Sequence, residues 1–70
     1  MKYINKILEL AYLDELDGIS QYEGIISHII DEPNIDISIK KYMIDALLLI
    51  LKDEREHVEL LRKLIKDLGA

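Results

Sequence analysis

Two of the ionisable residues in the most apolar part of this 70-residue chain stand where helical periodicity asks for an apolar side chain. The run from Ala46 to Ile65, ALLLILKDEREHVELLRKLI, carries Glu54 and His57. On a helix, positions three apart share a face, so this Glu-x-x-His sets a carboxylate beside an imidazole. Such a pair suits a divalent transition metal, Fe or Mn first, with Zn as an alternative. The same spacing also fits a plain polar patch or a Glu–His pair between chains. A third residue, Glu15, stands in AYLDELDGISQYEGI where helical periodicity asks for an apolar side chain. An unpaired buried carboxylate is costly, so three such groups on apolar faces call for a compensating charge.

The elements that must position them are helices. DEPNIDIS, residues 31–38, is the one break in the pattern. Pro33 disfavours helix at Glu32, and Asn34 and Asp36 suit a turn. Asp36 or Ser38 can cap the second helix. The pattern predicts helix 1 over about 2–31, a turn at 32–36 and helix 2 over about 37–68, with Gly69 as the residue after the last turn. Gly18 and Gly24 each cost helix 1 about 1 kcal/mol against Ala; they can permit close helix approach, and neither sits in a turn-like context. The fold expected is all-α, one domain made of an antiparallel two-helix hairpin.

At ~100° per residue, one stripe of helix 1 is Ile4, Leu8, Ala11 or Tyr12, Glu15, Ile19, Tyr22, Ile26 and Ile29. In helix 2 it is Met43, Leu47, Ile50 or Leu51, Glu54, His57 or Val58, Leu61, Leu64 or Ile65, and Leu68. Counted from the turn, Glu15 lies roughly 24 Å up helix 1 and Glu54 roughly 25 Å up helix 2. All three ionisable residues therefore reach one layer. Two helices cannot cover the apolar faces they carry, so at least a dimer is expected, and two hairpins make a four-helix bundle. A two-fold axis at the layer gives four carboxylates and two imidazoles, the ligand set of a di-metal centre. Four carboxylates also balance two divalent cations.

These residues resemble the ferritin-like superfamily. DELDGISQYEGI (14–25) followed by DEREH (53–57) is similar to one half of a bacterioferritin or rubrerythrin bundle: a first-helix Glu-Leu pair, a Gln-Tyr pair further on, and Asp-Glu-x-x-His in the next helix. The resemblance implies metal ligands at Glu15, Glu54 and His57, with Tyr22 as the tyrosine near the metals. It implies two iron ions per dimer, and a protein that binds Fe(II) and reacts it with O₂ or peroxide, a ferroxidase- or peroxidase-type oxidoreductase if it is an enzyme. Arg55 stands where bacterioferritin carries its haem methionine, so no haem is implied. Small encapsulated ferritins are two-helix proteins of the same ligand set with a C-terminal targeting tail, a feature that this sequence, ending at Ala70, is not expected to share. A closed storage shell is not expected either.

Other candidates have plainer readings beside the functional one. Glu23 is the rival first-helix ligand, but it lies roughly 12 Å lower than Glu54; otherwise it is a solvated or accessory carboxylate. Asp53 either orients a His57 ring nitrogen or is an exposed carboxylate. Tyr22 is a core tyrosine or a redox-active one. His28 points roughly 140° from its stripe and reads as a surface histidine. Lys52, Glu56, Glu59, Arg62, Lys63 and Lys66 form a solvated face. Leu10, Leu13, Leu48 and Leu49 point away from the stripes, which suggests assembly beyond a dimer. The two remaining readings of the whole are a non-catalytic oligomerisation or adaptor hairpin whose polar layer sets register, and a structural metal site without turnover.

Composition bounds the rest. Net charge is −5 and there is no Cys, so disulfides are excluded and nucleic acid or an anionic membrane is not the expected partner. The longest apolar run, residues 46–51, is too short to span a bilayer. MKYINKILEL does not read as a signal peptide, and a cytoplasmic protein is expected. A chain this short rarely folds alone without disulfides, a metal or oligomerisation.

Overall fold

The computed structural model describes residues 2–69. It has two helices, α1 (Lys2–Asp31) and α2 (Ile37–Gly69), lying side by side as an all-helical hairpin that measures 51 × 14 × 10 Å. Gly69 is the last helical residue rather than the one after the helix, and no described glycine has a positive φ.

The turn is made by its own side chains. Pro33 closes α1, because it restricts the residue before it to extended backbone. Glu32 N–H donates to Ile29 O at 3.2 Å, and the Lys40 ammonium crosses over to donate to Ile30 O at 2.9 Å, so the end of α1 is satisfied from both sides. Asn34 N–H donates to Glu32 Oε1 at 3.1 Å. Asp36 is the cap of α2. Its carbonyl accepts the first helical hydrogen bond from Lys40 N–H at 2.9 Å, and its Oδ2 accepts from Ser38 N–H at 3.1 Å and from the Ser38 hydroxyl. The Ser38 hydroxyl, and then the Ser38 amide, hold the Asp36 carboxyl below its ordinary range.

The helices meet along the apolar stripes. In α1 the less exposed positions include Ile4, Leu8, Tyr12, Glu15, Gly18, Ile19, Tyr22, Ile26 and Ile29; in α2 they include Met43, Leu47, Leu51, Glu54, Val58, Leu61, Leu64 and Ile65. Packing settles the alternatives: Leu51 and Val58 are buried, whereas Ile50, His57 and Leu68 lie outside the seam. Ala11 is exposed and Tyr12 takes its place.

This seam is a thin core. Among the described residues only Ile29, Leu51 and Val58 are buried. The chain exposes 5593 Å², against about 4,500 Å² for a compact monomer of its mass. Its radius of gyration is 16.0 Å, against about 11 Å for a globular chain of this length. Leu10, Leu13, Leu48 and Leu49 are all exposed, Leu49 by 67%. No helix among the described residues is long and apolar enough to cross a membrane.

Candidate metal centre

Glu15, Glu54 and His57 come to one level about halfway along the hairpin. His57 Nδ1 stands 3.6 Å from Glu15 Oε1. That is an ion-pair distance, too long for a hydrogen bond. The Glu54 carboxyl lies close enough to Glu15 to be raised by it, and it also rests against α1 where that helix has no side chain: a Cβ placed on Gly18 would lie 3.2 Å from Glu54 Oε2. Both carboxylates are half-buried at the seam and His57 is at its rim, more than half exposed.

The electrostatics come from this crowding. The hydrogen bond to Glu15 raises the Glu54 carboxyl above its ordinary range, since it holds only while a proton stays between the two groups. Desolvation and the Glu15 charge push the same way, Asp14 adds a little, and His57 opposes them. Two close carboxyl groups with an imidazole beside them offer oxygen and nitrogen donors to a divalent cation, which would relieve their repulsion. Among the described residues of a single chain, no three His, Asp or Glu side chains gather closely enough to hold a metal ion.

The other candidates lie apart from this trio. Glu23 Oε2 faces Arg55 Nη2 at 3.6 Å, both side chains being more than half exposed. Asp53 and His28 are exposed, and Tyr22 is half-buried in the seam. The Tyr12 hydroxyl, also part of the seam, accepts from Arg62 Nη2 at 3.4 Å, while Arg62 Nη1 pairs with Glu59 at 3.5 Å. Lys52, Glu56, Glu59, Arg62, Lys63 and Lys66 are all exposed.

The two broad sides of the hairpin differ. Ile50, His57 and Leu64 recur every seven residues and so share one side of α2. Ile7, Gly18 and Ile25 share the adjoining side of α1 by the same helical geometry. This side exposes Ile7, Ile25 and Ile50, with Asp14 and Asp53 also on it. The opposite side carries the Glu23–Arg55 and Tyr12–Arg62 contacts together with Leu48. Two features of the site escape sequence reasoning: the contact of Gly18 with Glu54, and the reach of Arg55 to Glu23. Gly18 is visible there as a mid-helix cost that can permit close helix approach, with nothing to say that Glu54 is what approaches. Arg55 needs the pairing register of the two helices, which no single residue gives away.

Comparison with protein-family models, with curated proteins and with solved structures gave no significant match for this chain.

Proposed function

We propose that this hairpin pairs with a second copy of itself into a ferritin-like four-helix bundle, and that the bundle binds two divalent metal ions, iron first, between its protomers. One observation carries the reading: Glu15 and Glu54 interrupt the otherwise apolar seam at a single level, with His57 beside them at its rim. The second copy fits on the side bearing Ile7, Ile25, Ile50 and Leu64. That side exposes isoleucines near His57, and covering it would remove part of the surface the chain exposes in excess of a compact fold.

In this reading Glu15 and Glu54 of each chain supply oxygen ligands, and His57 supplies a nitrogen ligand. Bound iron would supply the electrons for reduction of O₂ or peroxide. The protein's part is to hold four carboxylates against their own repulsion until cations neutralise them, to keep His57 at the rim with a ring nitrogen directed inward, and to limit water by closing the apolar side over the layer. Tyr22 lies in the seam as a candidate accessory group, while Glu23 is held outward by Arg55.

The test is metal analysis of the purified protein and of protein soaked anaerobically with Fe(II) or Mn(II), beside its mass in solution. About two ions per dimer in the wild type, and none in Glu54→Gln with His57→Gln, is the expected result. A wild-type protein that takes up no metal would sink the reading. An oxygen-consumption or peroxidase assay then separates turnover from a structural metal.

A second reading is favoured by one specific feature. The close Glu15 and Glu54 carboxyl groups and the nearby His57 partly satisfy one another without any metal. Such a layer could set the register of a non-catalytic oligomerisation module. In that case the Glu54→Gln, His57→Gln protein keeps its assembly and the wild type binds no metal.

A further inference from the structure

Gly18 is costly where it stands. It lies in the middle of α1 on ordinary helical backbone, with no positive φ to call for glycine, and glycine is among the poorest residues in a helix interior. Gly24, further along the same helix, offers a comparison: a Cβ there meets nothing within 4 Å. At Gly18 a Cβ would stand 3.2 Å from Glu54 Oε2 and 3.7 Å from Glu54 Cδ. The first is tighter than the 3.4–4 Å of ordinary van der Waals contact. The Glu54 carboxyl thus rests on bare backbone at Gly18 while it meets Glu15, one turn earlier in α1.

We propose that Gly18 is a positioning residue: by lacking a side chain it leaves the seat in which the Glu54 carboxyl reaches Glu15, and it thereby sets how strongly this pair grips a divalent cation. The cation half of this statement rests on the metal-binding reading above. A methyl group at position 18 displaces the end of a flexible side chain. The helix itself therefore survives the change, and gains from it. The placement of one ligand relative to another does not survive, and a ligand displaced by a few tenths of an ångström binds a metal less well.

The experiment is a thermal-unfolding cycle at one fixed chain concentration in metal-free buffer, followed by Mn(II) titration. Gly24→Ala serves as the reference and raises the midpoint by about 4–8 °C. Gly18→Ala in a Glu54→Ala background gains the same amount, because its new methyl meets nothing; in the wild-type background it gains less. Mn(II) affinity falls about 10–100-fold in Gly18→Ala and stays at the wild-type value in Gly24→Ala. Equal gains in both backgrounds overturn the seat, and wild-type Mn(II) affinity in Gly18→Ala overturns its link to cation binding. A wild-type protein that binds no Mn(II) overturns the metal reading instead, and the unfolding cycle alone then decides whether Gly18 seats Glu54.

Discussion

Glu15 meets His57 across the hairpin, Oε1 to Nδ1 at 3.6 Å, while the same carboxylate is the first cause of the raised Glu54 carboxyl. One side chain of α1 thus serves two of α2. Without a cation, Glu15 crowds the Glu54 carboxyl, which is raised above its ordinary range, and leaves His57 at ion-pair distance. The arrangement is sound when protonated and strained when both carboxylates are charged.

That fixes the sign of a pH effect. Glu54 is raised in the folded protein, first by Glu15. Its contribution to stability is therefore fully present below the unfolded value of about 4.3 and is lost as pH rises through the higher folded value. His57 opposes the shift and Asp14 adds to it. In metal-free Glu54→Gln the amide still donates to Glu15 but carries no charge. The expected result is a higher thermal midpoint than wild type at pH 7 and a flatter profile from pH 4 upward, read by circular dichroism. A variant less stable than wild type at pH 7 would show that the pair is not under repulsion.

The cap of α2 gives the opposite sign. Ser38 holds Asp36 below its ordinary range, so its contribution is present above the unfolded value of about 3.9 and lost as pH falls through the lower folded value. Asp36→Ala lowers the thermal midpoint at pH 7 by about 4–8 °C. The difference from wild type should shrink below about pH 3.9, since acid removes the same charge. A gap that persists undiminished in acid would place the effect elsewhere.

Much of this architecture is legible in the sequence, and the reason is physical. Pro33 and Asp36 are local signals whose effects depend on backbone sterics and one hydrogen bond, so the turn between the helices needs no tertiary information. The stripe through Leu8, Ile19, Leu51 and Val58 is equally local, being a matter of rotation per residue. Periodicity does not decide the edge of the stripe. Ile50 and Leu51 differ by one residue and about 100°, and only the packing of α1 selects Leu51. The site divides in the same way. Matched heights bring Glu15 to the level of Glu54, but the support beneath Glu54 comes from an absent side chain at Gly18, and an absence has no periodicity to reveal it.

The thin core makes the next expectation steep. Leu51 is only 2% exposed and is one of three buried apolar residues among those described. Leu51→Ala costs about 2–5 kcal/mol, a large share of the stability of any small domain. Loss of cooperative unfolding, or a midpoint strongly dependent on chain concentration, is the expected result in a thermal scan. An unchanged transition would mean that the α1–α2 seam is not what holds the hairpin together.

The two sides of the hairpin should also respond differently to charge. Ile50 shares the side of His57, and Leu48 shares that of the Glu23–Arg55 pair. Under the four-helix proposal, Ile50→Glu places a carboxylate in the protomer interface and shifts the protein toward monomer. Leu48→Glu leaves the dimer intact and removes only assembly beyond it. Sedimentation velocity over a range of concentrations reads both. Equal effects of the two substitutions would mean that the covered side has been assigned wrongly.

The sharpest comparison sets Glu15 against Glu23, the two first-helix carboxylates that sequence alone leaves in competition. Glu15 lies beside Glu54 and His57. Glu23 faces Arg55 in an exposed pair at 3.6 Å, and exposed pairs of that kind contribute little to stability. Glu15→Gln removes a charged oxygen ligand from the layer, so Mn(II) or Fe(II) binding should fall below detection while the hairpin stays folded. Glu23→Gln should leave metal affinity within about threefold of wild type, because the site lies roughly 12 Å further along the helix and the substitution weakens only the pairing with Arg55. Isothermal titration of the two variants under anaerobic conditions decides the matter. If Glu23→Gln loses metal and Glu15→Gln keeps it, the Arg55 pair must open on binding and the ligand set must be redrawn around Glu23.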